Sequence, residues 1–177
     1  MTIKVGIITE KMINMKVNCT GEQFLPTLVF LIGLPGAGKS TYCTEKYKET
    51  SIILSSDDIR EQKFGHCHSS EIKNWVLHEL ISLSESHLKK GQHVILDTTF
   101  FNALPDRMPF MNRINSLGFK VKKCAVIFNI ELKECLRRNK SRKKERVVDT
   151  LFIEKMSTIM TLPSERELFD ELIYISK

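Results

Sequence analysis

LVFLIGLPGAGKS, residues 28–40, joins an apolar run to a glycine-rich loop. The run at residues 28–32 predicts a buried parallel strand, and residues 40–43 predict the start of a helix. The loop between them carries the complete pattern G-x-x-x-x-G-K-S, and a preceding strand and following helix are the context that a phosphate-binding loop requires. Residues 33–40, called the phosphate loop below, therefore predict a site for a nucleoside triphosphate.

Each residue type in the phosphate loop has a physical reason. Glycines let the backbone turn tightly, so that its N–H groups face the α- and β-phosphates at the positive end of the helix dipole. Lys39 can reach the β- and γ-oxygens, and the Ser40 hydroxyl can ligand Mg²⁺ beside them. The predicted nucleotide-binding residues here are Gly33, Gly36, Ala37, Gly38, Lys39, Ser40 and Thr41. ATP, or another nucleoside triphosphate, and Mg²⁺ are the predicted cofactors.

Length and composition predict one compact domain. The 177 residues are 42% hydrophobic, which supports one core but hardly two. No apolar stretch approaches the length of a membrane span, and the five cysteines include no C-x-x-C pair, as is typical of reduced thiols. We expect a cytoplasmic protein with one domain at residues 27–177. Residues 1–26 form an extension without an assigned role, and an edge strand through residues 3–8 is an open alternative.

The remaining pattern predicts alternating strands and helices. Strands are expected at residues 51–54, 93–96, 121–128 and 172–175, and helices at residues 70–90, 105–117, 131–140 and 150–160. Such alternation implies an α/β fold, with a parallel sheet covered by helices on both faces. The helical spacing around Trp75 favours a core position for that residue over a platform for base stacking.

Residues that follow each strand are the candidates for chemistry, because ligands bind at the carboxyl ends of parallel strands. Asp57 and Arg60 follow the second strand, three residues apart on one side of a helical turn. The carboxylate can accept the proton of an attacking hydroxyl, and the guanidinium can clamp a phosphate. The alternative is that Asp57 or Asp58 caps the helix while Arg60 is solvated.

The third strand ends at Asp97, which allows two roles. The carboxylate can hold Mg²⁺ through water, or it can order the phosphate loop by accepting backbone hydrogen bonds. Both remain open from the sequence. Asn102 follows and is interpreted as a helix cap.

Residues 137–146 read RRNKSRKKER and carry seven cations and one anion, a net charge of +6 that equals the formal charge of the whole chain. On charge alone, a solvated helix face explains the run equally well. Its position after the fourth strand and before a helix near Asp149 is where nucleotide kinases carry a mobile lid. Arg138 and Arg142 are four residues apart and can point the same way, and arginine grips phosphate oxygens bidentately. We therefore predict a basic helical lid at residues 137–148.

These motifs together resemble the polynucleotide-kinase-like branch of the P-loop kinases, which includes the phage 5′-hydroxyl polynucleotide kinase domain. The resemblance covers roughly residues 27–177. It rests on GLPGAGKST at residues 33–41, SDDIR at 56–60, LDTTFFN at 96–102, RNKSR at 138–142 and LFDELIYI at 168–175. Two positions depart from the family pattern: Thr98-Thr99 stands where relatives usually have Asn-Thr, and Val148 stands where the lid often has proline.

The resemblance implies a role for each matched residue. Lys39 and Ser40 hold the triphosphate and its Mg²⁺. Asp97 stays the second candidate at the metal because of its position at the end of the third strand, not because of the resemblance. Asp57 is the general base, Arg60 contacts a phosphate of the acceptor, and Arg142 stabilises the phosphate in transfer. Arg138 lies against the nucleotide.

The implied function is ATP-dependent transfer of the γ-phosphate to a hydroxyl, with the 5′-OH of DNA or RNA as the expected acceptor and no membrane partner. Other hydroxyl acceptors share the same donor site, namely a hydroxymethylated pyrimidine in DNA or seryl-tRNA. A nucleotide-binding switch or toxin-like NTPase without acceptor chemistry is the alternative from another class.

Overall fold

The computed structural model describes residues 25–65 and 69–176. The predicted extension at residues 1–26, with its possible edge strand, lies outside this range except for its last two residues. None of the helices within the described range combines the length and apolarity that a membrane span needs.

Five parallel strands form one sheet in the order β2-β3-β1-β4-β5. The strands are β1 Thr27–Ile32, β2 Ile52–Ser55, β3 Val94–Asp97, β4 Lys122–Asn129 and β5 Glu171–Ser176. The helices are α1 Lys39–Tyr47, α2 Ser56–Phe64, α3 Ser70–Lys89, α4 Leu104–Asn115, α5 Leu132–Lys140 and α6 Thr150–Ile159. The predicted parallel α/β fold is confirmed.

The sheet has a separate apolar core on each face, because successive residues of a strand point to opposite sides. Leu28 and Phe30 of the central strand β1 lie in one core with residues of α3 and α4. Val29 and Leu31 lie in the other core with residues of α1, α5 and α6. Helices thus cover both faces, and the carboxyl ends of the strands are left open at one edge.

Trp75 does not belong to either core. Its side chain is 38% exposed, and its ring meets the edge of Phe64 with the centroids 5.0 Å apart. The buried stripe of α3 runs instead through Val76, Leu80 and Leu88. The interpretation of Trp75 as a core residue is therefore wrong, because its position on α3 lies at the margin of the buried face.

The basic run changes conformation along its length. It is helical up to Lys140, where α5 ends, and a short 3₁₀ turn spans Lys144–Arg146. The side chain of Asn139 closes this segment, since its Nδ2 donates to the Val148 carbonyl at 2.7 Å and its Oδ1 accepts from the Val148 N–H at 3.0 Å. The lid segment, residues 137–148, is thus the end of a helix followed by a loop that the hydrogen bonds between Asn139 and Val148 close.

A buried ion pair holds the chain that follows α6. Arg107 of α4 donates from Nε to Glu167 Oε2 at 2.5 Å and from Nη2 to Glu167 Oε1 at 3.1 Å, and both side chains are fully buried. Arg107 Nη1 also donates to the carbonyls of Phe101 and Asn102, at 2.9 and 3.0 Å. The pair therefore ties the segment after β3 to the segment before β5.

Breaking this pair is expected to destabilise the fold strongly. An Arg107→Met variant leaves the Glu167 carboxylate buried without its partner, which costs about 3–5 kcal/mol of unfolding free energy. Denaturant unfolding measures the change. The control is Arg113→Gln, which removes the ion pair between the exposed Arg113 side chain and Glu85 and should cost less than about 1 kcal/mol. Equal losses for the two variants would contradict the structural role of the buried pair.

Candidate active site

The phosphate loop has the backbone shape that its glycines allow. Gly36 and Gly38 adopt positive φ angles of 86° and 97°, where a side chain is strained. A Cβ on Gly36 would also lie 2.4 Å from the Cys135 carbonyl oxygen. Gly38 precedes α1, and no side chain caps that helix start, so its first N–H groups remain available to phosphate oxygens.

Lys39 lies inside the curve of the loop. Its Nζ donates to the carbonyls of Gly33 and Leu34, at 2.7 and 3.0 Å. Burial lowers the pKa of Lys39 to about 8, a shift that the charge of Asp97 opposes and the nearby Arg142 reinforces. A triphosphate in the loop would supply the negative charge that this buried ammonium lacks.

Ser40 and Asp97 meet at the entrance to α1. Burial raises the pKa of Asp97, and the nearby Ser40 hydroxyl and Lys39 ammonium oppose part of that rise. A hydroxyl and a carboxylate are the hard oxygen ligands that Mg²⁺ prefers. Groups of three or more potential metal-binding His, Cys, Asp or Glu side chains are absent from the described residues. The donor set here thus fits an ion held jointly with substrate phosphates and water.

Asn102 has a role that sequence reasoning missed. Its buried side chain holds the first residue of the phosphate loop, because Oδ1 accepts from the Gly33 N–H at 3.0 Å and Nδ2 donates to the Gly33 carbonyl at 2.9 Å. The cap of α4 is Ala103, so the interpretation of Asn102 as a helix cap is wrong. The adjacent Phe101 is buried against Phe30 and Phe110, which fixes the chain at this point.

Removing the Asn102 side chain is expected to loosen the phosphate loop. Asn102→Ala leaves the buried N–H of Gly33 without its partner, at a cost of about 1–3 kcal/mol, and leaves Lys39 Nζ as the remaining donor to the Gly33 carbonyl. We also expect ATP to bind about tenfold more weakly, equivalent to roughly 1.4 kcal/mol. Denaturant unfolding and an ATP titration measure the two effects, with the exposed Asn112→Ala as control. Unchanged ATP affinity in a destabilised variant would limit Asn102 to a role in folding.

Asp57 and Arg60, called the acceptor pair below, lie at the start of α2. Arg60 Nη1 donates to Asp57 Oδ1 at 2.8 Å, with 13% of the Arg60 side chain and 62% of the Asp57 side chain exposed. The cap of α2 is Ser55, whose side chain accepts from the Asp58 N–H at 3.2 Å. The capping alternative for Asp57 or Asp58 is therefore wrong, and Arg60 is not a solvated cation.

Two arginines of the lid segment lie near the phosphate loop. Arg138 donates from Nε to Glu134 at 2.6 Å, and its Nη1 lies 3.9 Å from the point where a Cβ on Gly38 would stand. Arg142 follows the end of α5, so the two arginines do not share one helix face. The ion pairs within the described range do not include Arg142, although its charge acts on Lys39.

One cleft brings these groups together. It has a volume of about 1880 Å³, whereas a pocket for one small ligand typically has about 300–1000 Å³. The nominated residues that line it are Gly36, Ala37, Gly38, Lys39, Ser40, Thr41, Asp57, Arg60, Asp97, Arg138 and Arg142. Gly33 is the exception, because this first residue of the phosphate loop is buried and does not line the cleft. The cleft has room for a nucleotide and a second substrate.

Comparison with known proteins places the chain in a family. Residues 28–163 match the family model described as "AAA domain". No curated protein matches the chain in sequence.

Solved structures support the same fold. A chain in the structure described as the Pnkp1/Rnl/Hen1 RNA repair complex superposes with a TM-score of 0.65 and 20% identity, over 80% of this chain and 46% of that one. A putative kinase from Chloroflexus aurantiacus gives a TM-score of 0.61 at 18% identity, over 86% and 88% of the two chains. The Mycobacterium tuberculosis APS kinase CysC, in complex with AMPPNP and APS, gives 0.59 at 15% identity, over 86% and 90%.

At these identities the likeness establishes the fold, and the chain spans less than half of its match in the RNA repair complex. The family match and the parallel sheet with its phosphate loop agree with the resemblance seen in the sequence. The chain belongs to the AAA domain family and has the fold of the polynucleotide-kinase-like P-loop kinases.

Proposed function

We propose that this protein transfers the γ-phosphate of ATP to a hydroxyl group, and that the acceptor is the 5′-OH of DNA or RNA. One observation carries the proposal: the acceptor pair Asp57 and Arg60 lines the same cleft as the phosphate loop. A nucleotide switch needs the loop alone. A transferase needs a base and a phosphate clamp opposite it, and the acceptor pair has that chemistry.

In the proposed reaction, the phosphate loop and Lys39 hold the triphosphate, and Ser40 and Asp97 hold Mg²⁺. When bound, Mg²⁺ neutralises charge on the β- and γ-phosphates. Asp57 accepts the proton of the attacking hydroxyl, and Arg60 orients the acceptor through a phosphate. Arg142 stabilises charge on the phosphoryl group in transfer, while Arg138 lies along the nucleotide. Positioning and charge account for most of the catalysis of phosphoryl transfer.

A nucleic acid is proposed as the acceptor for two reasons. The lid segment concentrates a net charge of +6 in ten residues beside the cleft, which suits a polyanion. The similar chain in the RNA repair complex also suggests a nucleic-acid end as substrate. We further propose a cytoplasmic location.

The test offers γ-labelled ATP and Mg²⁺ with four acceptors in parallel: 5′-OH DNA, 5′-OH RNA, hydroxymethylpyrimidine DNA and seryl-tRNA. We expect label on one or both of the 5′-OH substrates. Label on hydroxymethylpyrimidine DNA or seryl-tRNA alone would keep the kinase reaction and correct its acceptor. Hydrolysis of ATP without any labelled acceptor would contradict the kinase assignment and favour a switch or toxin-like NTPase.

A further inference from the structure

Arg146 reaches from the lid segment to the acceptor side of the cleft. Its Nη2 donates to Asp58 Oδ1 at 3.0 Å and lies 3.6 Å from Glu61 Oε2. Both carboxylates belong to α2, the helix that also carries the acceptor pair, and Asp58 follows the proposed base directly in sequence. The contact therefore places a cation of the basic run beside the acceptor pair.

Most of the guanidinium of Arg146 is still available. An arginine has five N–H donors, and only Nη2 has a partner among the described residues. The side chain is 48% exposed and lines the cleft together with Arg60 and Arg142. The remaining N–H groups of the guanidinium can thus bind an oxyanion while Nη2 stays on α2.

The ion pair is poorly explained as a stabilising contact. Arg146, Asp58 and Glu61 each expose about half of their side chains, and exposed ion pairs contribute only about 0–1 kcal/mol to stability. The carboxylates of Asp58 and Glu61 instead restrict the positions that the Arg146 guanidinium can occupy. Of the basic run, Arg138 and Arg142 are assigned to the nucleotide, whereas Arg146 has no role in the proposed reaction.

We propose that Arg146 is a specificity-determining residue that binds the second phosphate of a polynucleotide acceptor, and that Asp58 and Glu61 position it. This inference rests on the proposed function. Arg60 holds the phosphate of the nucleotide that carries the attacking 5′-OH, and Arg146 holds the next phosphate along the strand. The protein then distinguishes a strand from a single nucleotide, because the single nucleotide has no group to place at Arg146.

The test compares two acceptors that differ by one nucleotide: a nucleoside 3′-monophosphate and a dinucleotide with a 3′-phosphate, both with a free 5′-OH. Arg146→Gln should lower kcat/KM for the dinucleotide by about 10- to 100-fold, the value of a charge-assisted hydrogen bond. It should leave kcat/KM for the mononucleotide unchanged. Lys144→Gln is the matched control, because Lys144 lies in the same 3₁₀ turn but does not line the cleft; it should affect neither substrate.

A second variant tests the positioning role. Asp58→Asn should raise KM for the dinucleotide by about three- to tenfold, with the mononucleotide unchanged, because a freed guanidinium loses part of its preference for one geometry. A lower KM for the dinucleotide in Asp58→Asn would overturn this role, since it would mean that the Asp58 carboxylate competes with the phosphate for Arg146. Thermal unfolding of each variant verifies the fold.

The outcomes separate this inference from the proposed function. If the wild type phosphorylates neither acceptor nor a longer 5′-OH strand, the proposed function fails and the inference falls with it. If the wild type phosphorylates both acceptors and Arg146→Gln lowers both equally or neither, the role of Arg146 fails while the kinase assignment stands.

Discussion

Replacing Asp57 by Asn is expected to lower phosphoryl transfer by about 10²- to 10⁴-fold, the usual contribution of a general base. The amide cannot accept the proton of the attacking hydroxyl at neutral pH, although it keeps the size of the side chain. ATP affinity should change little, because Asp57 lies with Arg60 on α2 and not in the phosphate loop. Single-turnover transfer and an ATP titration measure the two quantities.

Asp106→Asn is the control for this variant. Asp106 also lines the cleft, but it lies at the start of α4 and belongs to no proposed step. It should transfer phosphate at close to the wild-type rate. If Asp57→Asn did the same, the proton would have another acceptor and Asp57 would be no more than the partner that orients Arg60.

The second large effect is expected at Arg142. An arginine that stabilises a transferring phosphoryl group contributes about 10³- to 10⁵-fold to kcat, so Arg142→Gln should lower kcat within that range. Arg142→Lys should recover only part of the loss, because an ammonium cannot form the bidentate contact. Steady-state kinetics give kcat and KM for ATP separately, and we expect the loss mainly in kcat.

Lys140→Gln provides the comparison within the same basic run. Lys140 is exposed at the end of α5 and does not line the cleft. Similar kinetics for Lys140→Gln and Arg142→Gln would mean that the lid segment acts through its total charge. A loss confined to Arg142 supports a single arginine that closes on the γ-phosphate.

The sequence predicts the sheet well because its strands are short apolar runs and its helices carry regular apolar spacing. The ends of α3 and of the strands lie within one residue of the ends predicted from the sequence. The phosphate loop can equally be predicted from the sequence, since its motif consists of residue types at fixed spacing within one segment. The acceptor pair can be predicted for the same reason, because Asp57 and Arg60 are only three residues apart.

Contacts between segments that are distant in the sequence cannot be predicted in this way. Asn102 lies 69 residues from Gly33, and its amide fits both the N–H and the carbonyl only after β1 and β3 pair. Arg107 and Glu167 are 60 residues apart. When Arg107 and Glu167 are considered one at a time, the charge of each predicts an exposed side chain. Arg146 and Asp58 are separated by 88 residues, so the acceptor-side contact of the basic run appears only in three dimensions.

Trp75 and Arg142 illustrate the limit of helical periodicity. The apolar spacing around Trp75 predicts the helix correctly. It does not show how far the buried stripe extends around that helix. The i, i+4 relation of Arg138 and Arg142 assumes a continuous helix, whereas α5 ends at Lys140. Both arginines still line the cleft. Arg138 does so from α5, and Arg142 from the loop that the hydrogen bonds between Asn139 and Val148 close.

The central claim is that the phosphate loop and the acceptor pair form one phosphotransferase. The most direct test mixes the enzyme with γ-labelled ATP and a 5′-OH oligonucleotide in a single turnover, and counts ADP, free phosphate and label on the strand. The account predicts one labelled strand for each ADP, with the label removable by a 5′-specific phosphatase. ADP matched by free phosphate, with an unlabelled strand at saturating concentration, would contradict it.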